Sequence, residues 1–205
     1  MKIVFGFLFA LLLNAPLFAQ ETQQQAGNLL LVNGKIIPFK LIESNGYDLV
    51  YRTPDPKNKL KKIDPERVFS IKYIDGSERV IFQRDTLDPL EFTEDEMRLF
   101  IKGEQDADRL YHNNLNKVGA FTAGVVSSYF GFYGVIGPPL YATFFGAFTP
   151  KVEKIKGVDT ELIKIPEYRE GFEKKARDRK IRNMLISGFI GFAAGAITIS
   201  VVTNN

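Results

Sequence analysis

Polar and apolar residues are segregated along this chain in long blocks. No side chain between Lys117 and Lys151 is charged, and none after Arg182 is charged again up to Asn205. Val118 to Ile136 and Met184 to Val202 are each nineteen residues long. At 1.5 Å per helical residue each covers about 28 Å, close to the hydrocarbon thickness of a bilayer. Neither run has the polar face that a helix in water requires. The pattern predicts two transmembrane helices, 118–136 and 184–202, the alternative being a soluble helical hairpin with an unusually apolar core. Between them Gly137-Pro138-Pro139 predicts a helix break, and 137–150 an interfacial segment whose aromatic LYATFFGAF stretch is too short to cross again. The sequence leaves open whether 140–148 lies in the interface or re-enters the membrane.

Upstream the pattern changes twice. Lys2, an apolar run from Ile3 to Leu13, a break at Asn14 to Pro16 and a small residue at Ala19 predict a secretory signal peptide over 1–19, either cleaved there or kept as an anchor. After a polar leader, 20–27, come three turn dipeptides, Asn33-Gly34, Asn45-Gly46 and Asp75-Gly76, each flanked by β-branched, aromatic or leucine residues. Tyr47, Leu49 and Tyr51 alternate with Asp48 and Val50. These signals predict about five short strands, near 28–32, 35–43, 47–52, 67–74 and 78–83, with an extra one near 60–63. Over 28–90 they would close into a small SH3-like or Sm-like β barrel. Thr93 and Glu96 have capping-box spacing, and Met97, Phe100, Ile101, Ala107, Tyr111 and Leu115 continue at helical spacing, so 93–117 is expected to be one amphipathic helix. The fold class expected is an α+β membrane protein, a small β barrel followed by a two-helix transmembrane hairpin.

Charge adds an orientation. A net charge of +3 with 25% charged residues is ordinary for a soluble protein, so the average conceals the segregation. Three basic residues lie in 102–117 and eleven in 151–182. Basic loops are retained inside, which predicts a cytoplasmic loop and helix over 151–182. The export signal places the β domain in the periplasm, giving a multi-pass protein of the bacterial inner membrane. Lys174, Lys175, Arg177, Arg179, Lys180 and Arg182 are then expected at the headgroup level, with Glu170–Lys174 and Glu173–Arg177 as helical ion pairs. Small residues recur every fourth position within the spans, Ala123, Ser127 and Gly131 on one and Ser187, Gly191 and Gly195 on the other. They predict close packing of the two helices, or of copies of the chain.

Candidate chemistry is sparse. The chain has no cysteine, which excludes disulfides and thiolate chemistry, and one histidine, His112, which cannot supply a triad or a multi-histidine metal site within one chain. Glu104, Asp106 and Asp108 read as a solvated helix face, and Lys57, Lys59, Lys61 and Lys62 as a solvated basic loop. No charge lies inside either span, which argues against a proton relay or an ion pump. No catalytic residue, cofactor, metal or nucleic acid is expected. The partners expected are membrane lipids and an envelope protein, with homo-oligomerisation through the small-residue faces as a further option. The leading reading is a non-catalytic binding or scaffold component. The alternative is an oligomeric channel or transport-complex component lined by those small-residue faces.

Two clusters carry a resemblance. Gly103-Glu104-Gln105-Asp106-Ala107 with Tyr111 and Gly119 forms the first. Pro166-Glu167-Tyr168, Gly171-Phe172, Lys175-Ala176, Lys180 and Gly188 form the second. With the preceding IKYIDGSE segment, the chain resembles uncharacterised inner-membrane proteins of Bacteroidota that carry a small exported β domain ahead of a two-helix hairpin. The resemblance implies architecture and no activity. Gly103 and Gly171 each precede a polar helical stretch leading to a span, one approached from the periplasm and one from the cytoplasm, as coincidence or a weak internal repeat of inverted topology would give.

Overall fold

The computed structural model describes residues 26–44, 47–85 and 91–203. The expected signal peptide, most of the leader and the Asn45-Gly46 turn lie outside the described residues. An N-terminal β region is followed by helices. Among the described residues seven strands form two sheets: β1 (Gly27–Leu31), β2 (Ile36–Phe39), β6 (Val68–Tyr73) and β7 (Glu78–Val80) in the order β2-β1-β6-β7, and β3 (Leu41–Ser44), β4 (Leu49–Arg52) and β5 (Leu60–Ile63) in the order β3-β4-β5. All ladders are antiparallel. Gly34 (φ 74°) and Gly76 (φ 88°) supply the left-handed backbone that two of the turns require. The expected strand 35–43 is divided at Lys40, whose N–H donates to the Arg52 carbonyl at 2.9 Å, so the chain passes there from one sheet to the other. Leu29, Leu31, Phe39, Val68 and Ile71 of one sheet and Leu49, Tyr51 and Ile63 of the other bury into one core. The two sheets do not close into a barrel, which corrects the SH3-like or Sm-like expectation.

The helical part departs further from expectation. Thr93 caps α1 (Glu94–Leu110) through the reciprocal box with Glu96. Instead of one helix over 93–117, the chain is broken at Tyr111 to Asn113, and α2 (Asn114–Ser127) starts anew. A 3-10 run, Ser128–Ile136, follows, with Gly131 in the left-handed region (φ 58°). Then comes α3 (Gly137–Gly146), in which Pro138 and Pro139 occupy the first turn, where a missing N–H costs nothing. The expected break at Gly-Pro-Pro is therefore a helix start, and the reversal lies before it. Finally α4 (Pro166–Thr203) runs for 38 residues, about 57 Å.

Two helical stretches, Asn114–Gly146 and Pro166–Thr203, are long and apolar enough to cross a membrane. The first is folded on itself. A Cβ on Gly134 or Gly137 would collide with Ser127, one on Gly119 with the Tyr141 hydroxyl, and one on Gly146 would lie 2.6 Å from the Ile181 side chain. Asn113, at the start of α2, and the Phe145 and Phe148 carbonyls, at the end of α3, all reach Lys180. So α2 and α3 are the two arms of a hairpin about 21 Å deep, its tip at 128–136. A single crossing helix over 118–136 is not formed.

Candidate functional site

Two regions meet along α4. Its buried residues form one stripe, Tyr168, Gly171, Phe172, Ala176, Lys180, Met184, Gly188, Gly191 and Gly195. Bulky side chains fill the first half and glycines the second.

In the first half, α1 and α4 cross at paired glycines. A Cβ on Gly103 would strike the Tyr168 carbonyl, and one on Gly171 the Phe100 carbonyl, so each glycine seats the residue three positions before the other. Around this crossing Ala107, Tyr111, Val152, Tyr168, Phe172 and Ala176 form a water-excluding core. Val152 brings the 151–165 segment onto it. Polar ties surround the core: the Tyr168 hydroxyl donates to Asp106 at 2.9 Å, Arg169 bridges Glu153 and Glu173, and Arg179 pairs with Asp108 at 3.4 Å. Glu173 thus takes Arg169 in place of the expected Arg177, and Lys174 takes Glu104 in place of Glu170.

Glu104 is not on a solvated face as expected, but 2% exposed beneath the Asn33-Gly34 turn. Burial pushes its carboxyl above the usual glutamate range against the opposing pull of the Lys174 ammonium at 3.3 Å. One carboxylate oxygen, Oε2, has no hydrogen-bond partner. The same turn is tied down by Gln105, whose amide donates to the Gly34 carbonyl at 3.1 Å, and by Lys175, whose ammonium donates to the Asn33 carbonyl at 3.3 Å. Arg98 pairs with Glu78 at 3.1 Å and lies 4.9 Å above the Phe69 ring, a second clamp between α1 and the sheets.

The second half repeats the crossing with α2. A Cβ on Gly124 would strike the Gly188 carbonyl and one on Gly191 the Phe121 carbonyl, again three residues before the partner glycine. Gly195 meets Ser128, and Gly188 is covered by Pro138 and Ala120. The pairs Gly103–Gly171 and Gly124–Gly191 advance in the same direction, so α1 and α2 run parallel to α4. The stretches that follow Gly103 and Gly171 are therefore parallel in space, not opposed as an inverted repeat would place them.

This geometry joins two segments that were expected on opposite sides of a membrane. Lys174, Lys175 and Arg179, assigned to a cytoplasmic segment, touch Glu104, Asn33 and Asp108 of the supposedly periplasmic part. Contacts of about 3 Å hold 28–110 and 151–182 together as one packed unit. Four of the six expected headgroup residues are engaged internally. Lys180 is buried and caps α3, its ammonium donating to the Phe145 and Phe148 carbonyls at 2.6 and 3.1 Å. Of the six, only Arg177 and Arg182 are exposed with no contact to a partner side chain or carbonyl among the described residues.

Of the expected packing residues, Gly191 and Gly195 lie in the α2–α4 contact, and Ser127 is buried with its hydroxyl donating to the Gly124 carbonyl at 2.8 Å. Ala123 and Ser187 are half-buried beside it. Gly131 is at the exposed tip with nothing near it. The register missed Gly124 and Gly188, one position from the residues chosen. Spacing of 3 and 4 along α4, which Met184, Gly188, Gly191 and Gly195 follow, was the available signal.

Beyond this contact the second half exposes Leu115, Val118, Val126, Tyr129, Phe130, Phe132, Tyr133, Leu140, Phe144, Phe148, Ile186, Ile190, Ile197, Val201 and Val202. Its hydroxyls turn inward: Thr122, Thr143, Thr198, Ser200 and Thr203 each donate to the carbonyl four residues earlier, at 2.8–3.1 Å. Set against family models, curated proteins and solved structures, the chain matches none of them.

Proposed function

We propose that the protein is a non-catalytic binding or scaffold component of the bacterial inner membrane. A polar head, made of the β domain, α1, 151–165 and the first half of α4, stands on one side of the bilayer, held by a stalk of α2, α3 and the rest of α4. The observation that carries the reading is the segregation of exposed apolar side chains, most of which fall within 115–148 and 186–202. A contiguous surface of this kind is stable among lipid tails and costly in water. The self-satisfied hydroxyls fit the same solvent, since lipid offers them no partner.

In this reading α4 alone crosses, because the α2–α3 hairpin is about 21 Å deep against a hydrocarbon core of about 30 Å. The expected export signal supports a periplasmic head, available to an envelope partner. The basic residues that argued for a cytoplasmic 151–182 serve the fold of that head. An oligomeric channel lined by the small-residue faces is less favoured, because Ser127, Gly191 and Gly195 are already covered within one chain.

A chain without cysteine makes the test direct. Single cysteines at Lys57, Thr160 and Val202 are labelled with a membrane-impermeant maleimide in cells with a permeabilised outer membrane. Lys57→Cys and Thr160→Cys should label together while Val202→Cys stays protected. Labelling of Lys57→Cys but not Thr160→Cys would restore the opposite-sided hairpin and sink the one-sided head.

A further inference from the structure

We infer that the cleft between 111–116, the break and the first turn of α2, and the 150–155 segment binds the phosphate of an anionic phospholipid headgroup. This rests on the reading that the stalk is in a bilayer, and goes beyond it by assigning a specific site. The cleft has a volume of about 510 Å³, within the range of small-molecule sites. His112, Asn114, Asn116, Lys151 and Lys154 line it, with no acidic residue among the lining. Lys151 and Lys154 are exposed and have no ion-pair partner among the described residues. The His112 Nδ1–H donates to the Leu110 carbonyl at 2.9 Å, which holds the ring in the wall of the cleft and spends its N–H there. Two ammonium groups and two carboxamides offer a phosphate several donors, and no carboxylate in the lining opposes it.

Position selects a lipid as the source of that phosphate. The cleft lies where head gives way to stalk: Asn113 reaches Lys180, at the end of the polar ties. Two residues further, Leu115 is 89% exposed, and Phe148 on the other wall's approach is 60% exposed. A headgroup at this level would have its acyl chains beside those apolar residues. The run first expected to meet headgroups is a poorer candidate, since Lys174, Lys175, Arg179 and Lys180 are engaged within the chain.

The test uses the full chain in nanodiscs of about seven parts phosphatidylcholine to three parts phosphatidylglycerol, a fraction chosen to mimic an anionic leaflet. Native mass spectrometry then counts the lipids retained. The wild type should retain phosphatidylglycerol in excess of its bulk share. Lys151→Gln with Lys154→Gln should cut that preference about thirtyfold, given roughly 1 kcal/mol per basic residue near the surface. Lys151→Arg with Lys154→Arg should preserve it, and Lys57→Gln with Lys59→Gln, the same charge change elsewhere, should leave it intact. Displacement of the enriched lipid by inorganic phosphate alone would identify a soluble ligand and overturn the lipid assignment. Equal enrichment in the Lys151/Lys154 glutamine variant would overturn the site. Flotation with liposomes of the same composition separates the two readings: a chain that fails to float refutes the stalk, whereas one that floats without preference refutes only the site.

Discussion

The two glycine crossings along α4 share one backbone geometry in two settings. At Gly103–Gly171 and at Gly124–Gly191 each glycine admits the carbonyl of a residue three positions before its partner. Around the first, Tyr168 and Phe172 are fully buried and ion pairs ring the core. Around the second, the buried residues are Ala120, Ala142 and Met184, and large apolar side chains point outward. In water, removing aromatic surface drives association, and a close glycine contact only shapes it. Among lipid tails no such drive exists between apolar helices, so backbone approach and dispersion must supply the attraction. With the stalk in a bilayer, as proposed, the same crossing is a consequence of packing in the head and its cause in the stalk.

The largest effect that should separate the regions comes from truncating a buried side chain in each. Phe172→Ala should cost about 3–5 kcal/mol, the sum of lost transfer and a cavity. Met184→Ala, equally buried, should cost about 1–2 kcal/mol, because lipid removes the transfer part and leaves lost contacts. Denaturation in nanodiscs followed by tyrosine near-ultraviolet circular dichroism measures both. Equal losses would mean that water exclusion stabilises the stalk too, and the contrast would fail.

A smaller but more local effect comes from the glycines. Adding a methyl at either crossing forces the backbones apart, at about 1–3 kcal/mol. Gly171→Ala should lower hydrogen-exchange protection in α1 and leave α2 unchanged, whereas Gly191→Ala should do the reverse. The break at Tyr111 to Asn113 is what uncouples them. Loss of protection through both helices from either substitution would show that the two crossings are a single unit.

The difference between the regions also explains what the sequence disclosed. In the head, turns and strands announce themselves because water demands polar residues where the chain reverses: Asn33-Gly34 and Asp75-Gly76 mark two turns, and Thr93 with Glu96 marks the start of α1. In the stalk the chain reverses at 128–136 among Tyr, Phe and Gly, with no polar residue required, so a nineteen-residue span and a hairpin look alike. Proline misled for a related reason, since Pro138 and Pro139 suit a first helical turn as well as a break. Counting basic residues did not disclose that Lys174, Arg179 and Lys180 are fixed by tertiary partners, because no local pattern reveals them. The cleft at Lys151 and Lys154 was hidden likewise, its two walls being separated by the whole hairpin.

The smallest predicted effect concerns the charge that the head tolerates and the stalk does not hold. Glu104 is raised by burial, against the pull of Lys174, with Lys175 favouring and Asp178 opposing its ionised form. The native state therefore holds a proton at a pH where the unfolded chain has released it. Stability should be fully present below the ordinary glutamate range and decline as pH rises through the native value. Glu104→Gln removes that slope: the variant should match the wild type in acid and exceed it in melting temperature as pH rises toward neutrality. Lys174, with its side chain 47% exposed, regains water when its partner is neutral, so the substitution strands no buried charge. A wild type whose melting temperature climbs across the same window would show that attraction to Lys174 outweighs burial. The Asn33-Gly34 turn would then be docked on an ion pair, and Glu104→Gln would loosen the β domain from α1.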